Sequence, residues 1–436
     1  MRNLCRGNKK ISVIIFISIV IMWVLLNVLA WNSTAFCDAY ICYVFPVWVN
    51  LYGRVTGIFP FSVGEWMIGL GLLLVAVALA LLPVAGIREI FRMYRDCMET
   101  HPVYKYTVKR TKFGVGIDKF LKKYYIIFAW ILNIVCLIMT LNCFILYHAS
   151  TFSEKYFGEG STTGYVSKQD PTAEATGEGD EESLRELMSI RNIVAEQCNI
   201  LSGQMERDGR GNIVYSGSVA SDGRQVDMHE KARELMQQLG QSYPQLDGWY
   251  PKPKPLFYSD FMCQQYMQGY YFPFSMEANY NDVMNMILKP GTMCHELAHL
   301  RGFIFEDEAN FISYLACIRS DDPFFQYSGY LSVLNYLNND IFRVYRSNPE
   351  LYRKVANRIP PVEILDVVWE DNTFVSEEEW ERIDRTSFLD TDMVETAADV
   401  YIDMNLKANG VSDGSISYSR VVELLLLYYR TADNEY

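Results

Sequence analysis

Residues 292–311 read TMCHELAHLRGFIFEDEANF, and His295, Glu296 and His299 within them form the pattern HExxH. On a helix, positions four apart share a face, so the two imidazoles can aim at one ion while Glu296 stands beside it. Paired imidazoles suit zinc, which lowers the pKa of its water to near ~7, and an adjacent carboxylate can take that proton and hand it to a leaving amine. The pattern points to metal-assisted hydrolysis with Glu296 as the base. The other histidines, His101, His148 and His229, lie far away in sequence, and His229, on a helix expected over Val226–Leu239, reads as a surface residue.

Catalytic zinc usually has three protein ligands and a water. Gly302 can end the HExxH helix, after which Glu306, Asp307 and Glu308 open a second one with Phe311, Ile312, Leu315 and Ala316 as its packing face. A helix returning from such a turn can direct a carboxylate at the ion. The reading favours Glu308, with Glu306 next. The competing view is an acidic first turn that only complements the helix dipole.

Outward from this stretch, charge divides the 436-residue chain. Residues 1–147 carry 15 Lys/Arg against 6 Asp/Glu, and residues 148–436 carry 24 against 46. Three apolar runs, Ile11–Trp31, Trp66–Ile87 and Tyr124–Tyr147, each reach the ~20 residues needed to cross a bilayer. The first follows a basic start but is too long for a cleaved signal and reads as a retained anchor. The loop 88–123 carries ten Lys/Arg and is expected in the cytoplasm, as is the N-terminus; three crossings then put the remainder outside. The Pro46-interrupted stretch Ala39–Tyr52 is short for a span but long enough to re-enter the membrane, and a full crossing there would reverse the topology. A net charge of −13 without a basic stripe disfavours nucleic acid as a partner.

The expected fold is mainly α: a membrane region over 1–150, a Gly/Ser/acidic linker over 151–183, and an extracytoplasmic helical domain with a small β element over 184–436. Helices are expected from Glu182 and over Val226–Leu239, an extended Tyr/Phe-rich stretch ends near Phe274, and helix boundaries fall at Pro290, Gly302, Pro323, Pro349, Pro360–Pro361 and Gly410. Cys198, Cys263, Cys294 and Cys317 have no CxxC spacing and read as buried thiols, although Cys198 with Cys263, or Cys37 with Cys42, could pair. Tyr270–Asn281 is a candidate edge strand that would hold peptide by main-chain pairing, with Glu277 or Asn279 lining the cleft. Tyr327 and Tyr330 read as core residues rather than oxyanion donors.

HExxH followed by a downstream glutamate resembles the gluzincin branch of the zincin metallopeptidases, and the likeness maps onto His295, His299 and Glu308 as ligands and Glu296 as base. It is specific over about twenty residues. The eight residues between His299 and Glu308 are fewer than in typical gluzincins, and Phe305 stands where the metzincin pattern needs a ligand. More broadly, HELAHxxGFxxEDEANF after several spans, with PFSMEANYN at 273–281 and YSGY at 327–330, resembles an uncharacterised family of multi-pass bacterial membrane proteins. These likenesses imply a zincin-like domain with zinc as cofactor, cutting protein or peptide substrates outside the cytoplasmic membrane. The alternative from another class is a non-catalytic membrane-tethered binding or assembly protein with a structural metal site. A transporter is disfavoured because the three spans carry no intramembrane charge.

Overall fold

The computed structural model describes residues 2–100, 112–158, 178–219, 225–387, 389–408 and 420–433. They fall into two compact units, 1–29 with 63–141 and 30–62 with 142–436. The chain is mostly helical. In order it forms α1 (Arg2–Asn32), α2 (Thr34–Tyr43), α3 (Phe45–Thr56), α4 (Val63–Thr100), α5 (Lys112–Met139), α6 (Phe152–Tyr156) and α7 (Glu178–Ser202), then a ribbon of β1 (Ser218–Val219) and β2 (Gln225–Val226). There follow α8 (Met228–Leu239), β3 (Lys254–Leu256), α9 (Ser259–Cys263), β4 (Gly269–Phe272) and β5 (Glu277–Asn281). The remainder is α10 (Lys289–His299), α11 (Glu306–Ile318), α12 (Pro323–Ser347), α13 (Pro349–Ala356), α14 (Asp366–Asp371), α15 (Glu377–Thr386), α16 (Thr391–Ala408) and α17 (Val421–Asp433).

Among the described residues, four stretches are long and apolar enough to cross a membrane: Lys10–Asn32, Thr34–Thr56, Val63–Cys97 and Gly114–His148. Three coincide with the expected spans. The fourth takes in the Ala39–Tyr52 stretch. Pro46 was expected to interrupt it, but Pro46 falls in the first turn of α3, where its missing N–H removes no helical bond, so helix continues to Thr56. This stretch is the least apolar of the four and belongs to the second unit. In the first unit polar side chains tie the helices together. Trp23 Nε1 donates to Asn133 Oδ1 (3.0 Å), Asn133 Nδ2 to the Phe16 carbonyl (3.1 Å), and Tyr124 OH to the Leu74 carbonyl (2.6 Å), links that hydrocarbon cannot replace. Of the expected basic loop, 88–100 continues α4 and 112–123 starts α5, with Arg88 paired to Asp118 at 2.9 Å; Lys105, Lys109 and Arg110 lie outside the described residues.

In the second unit the expected linker 151–183 is only partly a linker. Thr151 and Glu154 form a capping box that starts α6 and buries Phe152, and α7 already begins at Glu178; residues 159–177 lie outside the described residues. Three strands pair in the order β3-β5-β4, β3 parallel and β4 antiparallel to β5, with Tyr270 opposite Asn279. The Tyr270–Asn281 stretch is therefore a hairpin whose first strand is the edge and whose second is central. Beneath it α10 packs against β4, β5, α8, α11 and α12. Close helix approach is possible at Gly291, whose N–H donates to Ser328 Oγ (3.0 Å) and whose carbonyl accepts from Ser313 Oγ (2.6 Å). Pro290, Pro323 and Pro349 open helices as expected, Pro360 and Pro361 lie between α13 and α14, and Gly410 is outside the described residues. Cys198, Cys263, Cys294 and Cys317 are buried free thiols, and Cys37 and Cys42 are likewise unpaired by disulfide.

Gly302 makes the turn between α10 and α11 with φ of +85°, and a Cβ there would sit 3.0 Å from Ile41 Cγ2 on α2. Both strain and contact oppose a side chain. Gly302→Ala is expected to destabilise the purified protein by about 1–3 kcal/mol in thermal unfolding, with Ile41→Ala restoring part of the loss. Unchanged unfolding would contradict this turn.

Candidate metal centre

All of α10 except His295 is buried, so its polar groups need local partners. His295 Nδ1 lies 2.9 Å from Asn310 Oδ1 on α11, and His299 Nδ1 lies 2.7 Å from the Phe303 carbonyl in the turn. With oxygen acceptors at both Nδ1 atoms, each ring carries its proton there and turns Nε2 inward as an acceptor. The two Nε2 atoms face one another at 3.1 Å, and Glu306 Oε2 lies 2.9 Å from His295 Nε2. Three acceptors so close repel unless a proton or a cation sits among them.

A tetrahedral zinc with bonds of about 2.0–2.1 Å holds its ligand atoms about 3.3 Å apart, within about 0.5 Å of these separations and of the 3.8 Å from His299 Nε2 to Glu306 Oε1. Among the described residues, His295, His299 and Glu306 are the one group of three His, Cys, Asp or Glu ligand atoms gathered tightly enough to hold a metal ion. The donor set of two imidazoles and one carboxylate suits zinc better than calcium or magnesium, which prefer all-oxygen shells. Glu296 Oε2 is buried without a hydrogen-bond partner among the described residues, as a base awaiting water or substrate would be.

The electrostatics follow from this crowding. Burial would raise the Glu306 carboxyl, but its hydrogen bond and attraction to His295 outweigh burial and hold it at about 2. Burial likewise opposes protonation of His295, yet Glu306 holds that ring at about 9, while burial pushes His299 down to about 4. Burial pushes Glu296 up to about 8 against the pull of His295. Attraction between His295 and Glu306 thus opposes burial at both groups, and a cation bound there would compete with the proton on the ring.

Glu308 is not brought to this cluster, contrary to expectation. Its Oε1 accepts from the Phe152 N–H at 2.5 Å, on the far side of α11 beside Phe311. Glu306, the second choice, is at the ion position instead. Glu277 and Asn279 do not line a cleft as expected, because both sit buried on the central strand. Glu277 is held by Lys254 Nζ (2.5 Å) and Ser275 Oγ (2.6 Å), and Asn279 Nδ2 reaches the Tyr270 carbonyl at 3.3 Å. His229 is half-buried with Nε2 2.9 Å from Tyr280 OH, and Tyr327 OH donates to Asp371 (2.8 Å) within the core. Sequence reading missed Asn310 and Tyr336, whose hydroxyl accepts from Asn310 Nδ2 at 3.2 Å and so fixes the amide against His295. The usable signal was spacing: Glu306 and Asn310 stand four apart, as His295 and His299 do.

A family model described as a protein of unknown function, DUF3810, matches residues 40–426. The chain belongs to the DUF3810 family. No curated protein and no solved structure matches this DUF3810 chain. Its matched region takes in the end of α2, all of α3 and the whole His295–His299–Glu306 cluster.

Zinc titration of the purified full-length DUF3810 chain is expected to give one tight site. Glu306→Gln should weaken it by at least tenfold, Asn310→Ala by about 10–100-fold, and Glu308→Gln should leave it tight. Loss in the Glu308 variant with retention in the Glu306 variant would reverse the assignment.

Proposed function

We propose that this protein is a membrane-anchored zinc metallopeptidase that hydrolyses peptide bonds of protein or peptide substrates. The observation that carries the reading is a three-ligand cluster, His295, His299 and Glu306, with the unpartnered Glu296 Oε2 next in sequence to a ligand. Structural zinc sites close with four protein ligands, whereas catalytic ones keep a position for water. Three ligands among the described residues favour catalysis over a purely structural ion. When bound, zinc would supply Lewis acidity, polarising the scissile carbonyl and acidifying water.

The chain's own groups divide the remaining work. Glu296 takes the proton of the attacking water at its free oxygen, holds it, and returns it to the departing amine. Asn310 and the Phe303 carbonyl keep both imidazoles in the tautomer that presents Nε2. The edge strand β4 runs beside the base: a Cβ on Gly269 would lie 2.8 Å from Glu296 Oε1, so only glycine lets the backbone pass so near. An extended peptide added along β4 by main-chain pairing would bring its bonds past that carboxylate. This arrangement is zincin-like.

The proposed topology places the site outside the cytoplasmic membrane. Crossings at Lys10–Asn32, Val63–Cys97 and Gly114–His148 would leave the chain outside after the third. Arg88, Arg92, Lys119, Lys122 and Lys123, at the adjoining ends of the second and third of these, fit the cytoplasmic side.

Glu296→Gln is expected to retain zinc and to lower cleavage of a fluorogenic peptide library by 100-fold or more, the usual scale for losing a general base. Undiminished cleavage by that variant would reject the mechanism, and absence of cleavage by zinc-loaded wild type would favour a binding role.

A further inference from the structure

The stretch α2–α3 presents two different faces. Inward, Cys37, Ile41, Phe45 and Val49 are buried, and the segment is bolted to the domain by polar contacts. Thr56 Oγ1 donates to the Ser275 carbonyl (2.9 Å), Lys254 Nζ donates to the Thr56 carbonyl (2.7 Å), and the Arg54 guanidinium lies 4.5 Å from the centre of the Trp249 ring. Outward, Val44, Val47, Leu51, Val55 and Ile58 recur every three or four residues, with Val47 57% and Ile58 78% exposed. Such a stripe faces water at a penalty, and a soluble surface rarely keeps one.

Chain continuity says what covers it. Ser33 alone separates α1 from α2, and residues 57–62 alone separate α3 from α4. Both flanking helices are apolar enough to span. A segment held between two spans by such short connections stays at the membrane, and a helix with one protein-bound face and one apolar face lies in the boundary between headgroups and acyl chains. Tyr43 at the junction of α2 and α3, and Phe59 and Phe61 just past α3, are exposed and are the residue types that settle at that boundary.

We propose that the outward stripe of α2–α3 is seated in the bilayer surface and holds the His295–His299–Glu306 centre there. The link to the centre is direct. Ile41 on α2 backs Gly302, and the next residue, Phe303, supplies the carbonyl that orients His299. Resting on the peptidase reading, this narrows the substrate class to polypeptide segments lying on or just emerging from a membrane.

The test uses the full-length protein in nanodiscs of phosphatidylcholine and phosphatidylglycerol carrying a trace of photoreactive diazirine lipid, with adducts mapped by mass spectrometry. One lipid bears the diazirine near the headgroup, another at the acyl terminus. The expected result is headgroup-proximal labelling of peptides covering 44–61, with acyl-terminal labelling confined to α1, α4 and α5. Acyl-terminal labelling at 47–55 would make the stretch a full span and overturn the proposal. Absence of adducts at 44–61 while the spans are labelled would assign the stripe to a protein partner and overturn it equally. The labelling readout does not depend on cleavage, so failure of the peptidase reading is separately visible in the Glu296→Gln comparison. Val47→Glu with Leu51→Glu, assayed at unchanged zinc content, should lower cleavage of a lipid-anchored peptide on vesicles at least tenfold and leave the same peptide without its lipid cut at the wild-type rate; equal effects on both would also contradict the bilayer role.

Discussion

Two imidazole nitrogens 3.1 Å apart, with a carboxylate 2.9 Å from one and 3.8 Å from the other, are mutually repulsive, and much of the second unit is arranged to keep them there. The α10 helix supplies the imidazoles because a four-residue step returns to one face. The Gly302 turn reverses the chain within a few residues so that the first turn of α11 meets the last turn of α10. Asn310 and the Phe303 carbonyl then remove the rotational freedom of each ring. Without those acceptors either imidazole could rotate or change tautomer and relieve the crowding.

Burial gives the cluster its chemical leverage. Charges removed from water interact more strongly, which is why one acid, Glu306, is held ionised while its neighbour in the motif, Glu296, is pushed towards its neutral form. Two carboxyls in one site are thus driven in opposite directions, and a cation at the cluster would draw Glu296 back to the carboxylate that a base must be. The small sheet closes over α10 and is anchored from beneath by the buried Lys254–Glu277 pair, with Lys254 also reaching the Thr56 carbonyl. Breaking such a pair leaves a buried charge, so the sheet, α3 and the site helix are energetically joined.

What the sequence made legible was local periodicity. The i, i+4 histidines, three of the apolar stretches and the proline-marked helix starts follow from residue spacing alone. The choice between Glu306 and Glu308 did not, because it depends on the rotational phase of α11, and two residues on a helix differ by about 200°. A clue was nevertheless present: Phe311, Ile312 and Leu315 define the packing face, and Glu308 stands three and four residues before the first two, on that face with Phe152. Glu306 shares its side with Asn310. The role of Glu277 was hidden for another reason, since its partner Lys254 comes from a parallel strand twenty-three residues earlier, a pairing that no local pattern announces. Pro46 does not interrupt α3 because a proline breaks a helix only in its interior, and it lies in a first turn.

The account rests on an ion bound by His295, His299 and Glu306, and X-ray absorption at the zinc edge of the purified full-length chain tests this most directly. The predicted spectrum is a four-coordinate shell of nitrogen and oxygen at about 2.0–2.1 Å with outer-shell scattering from two imidazoles, lost in Glu306→Ala. A sulfur shell at about 2.3 Å, implicating the adjacent Cys294, or a spectrum unaltered by that substitution would contradict it.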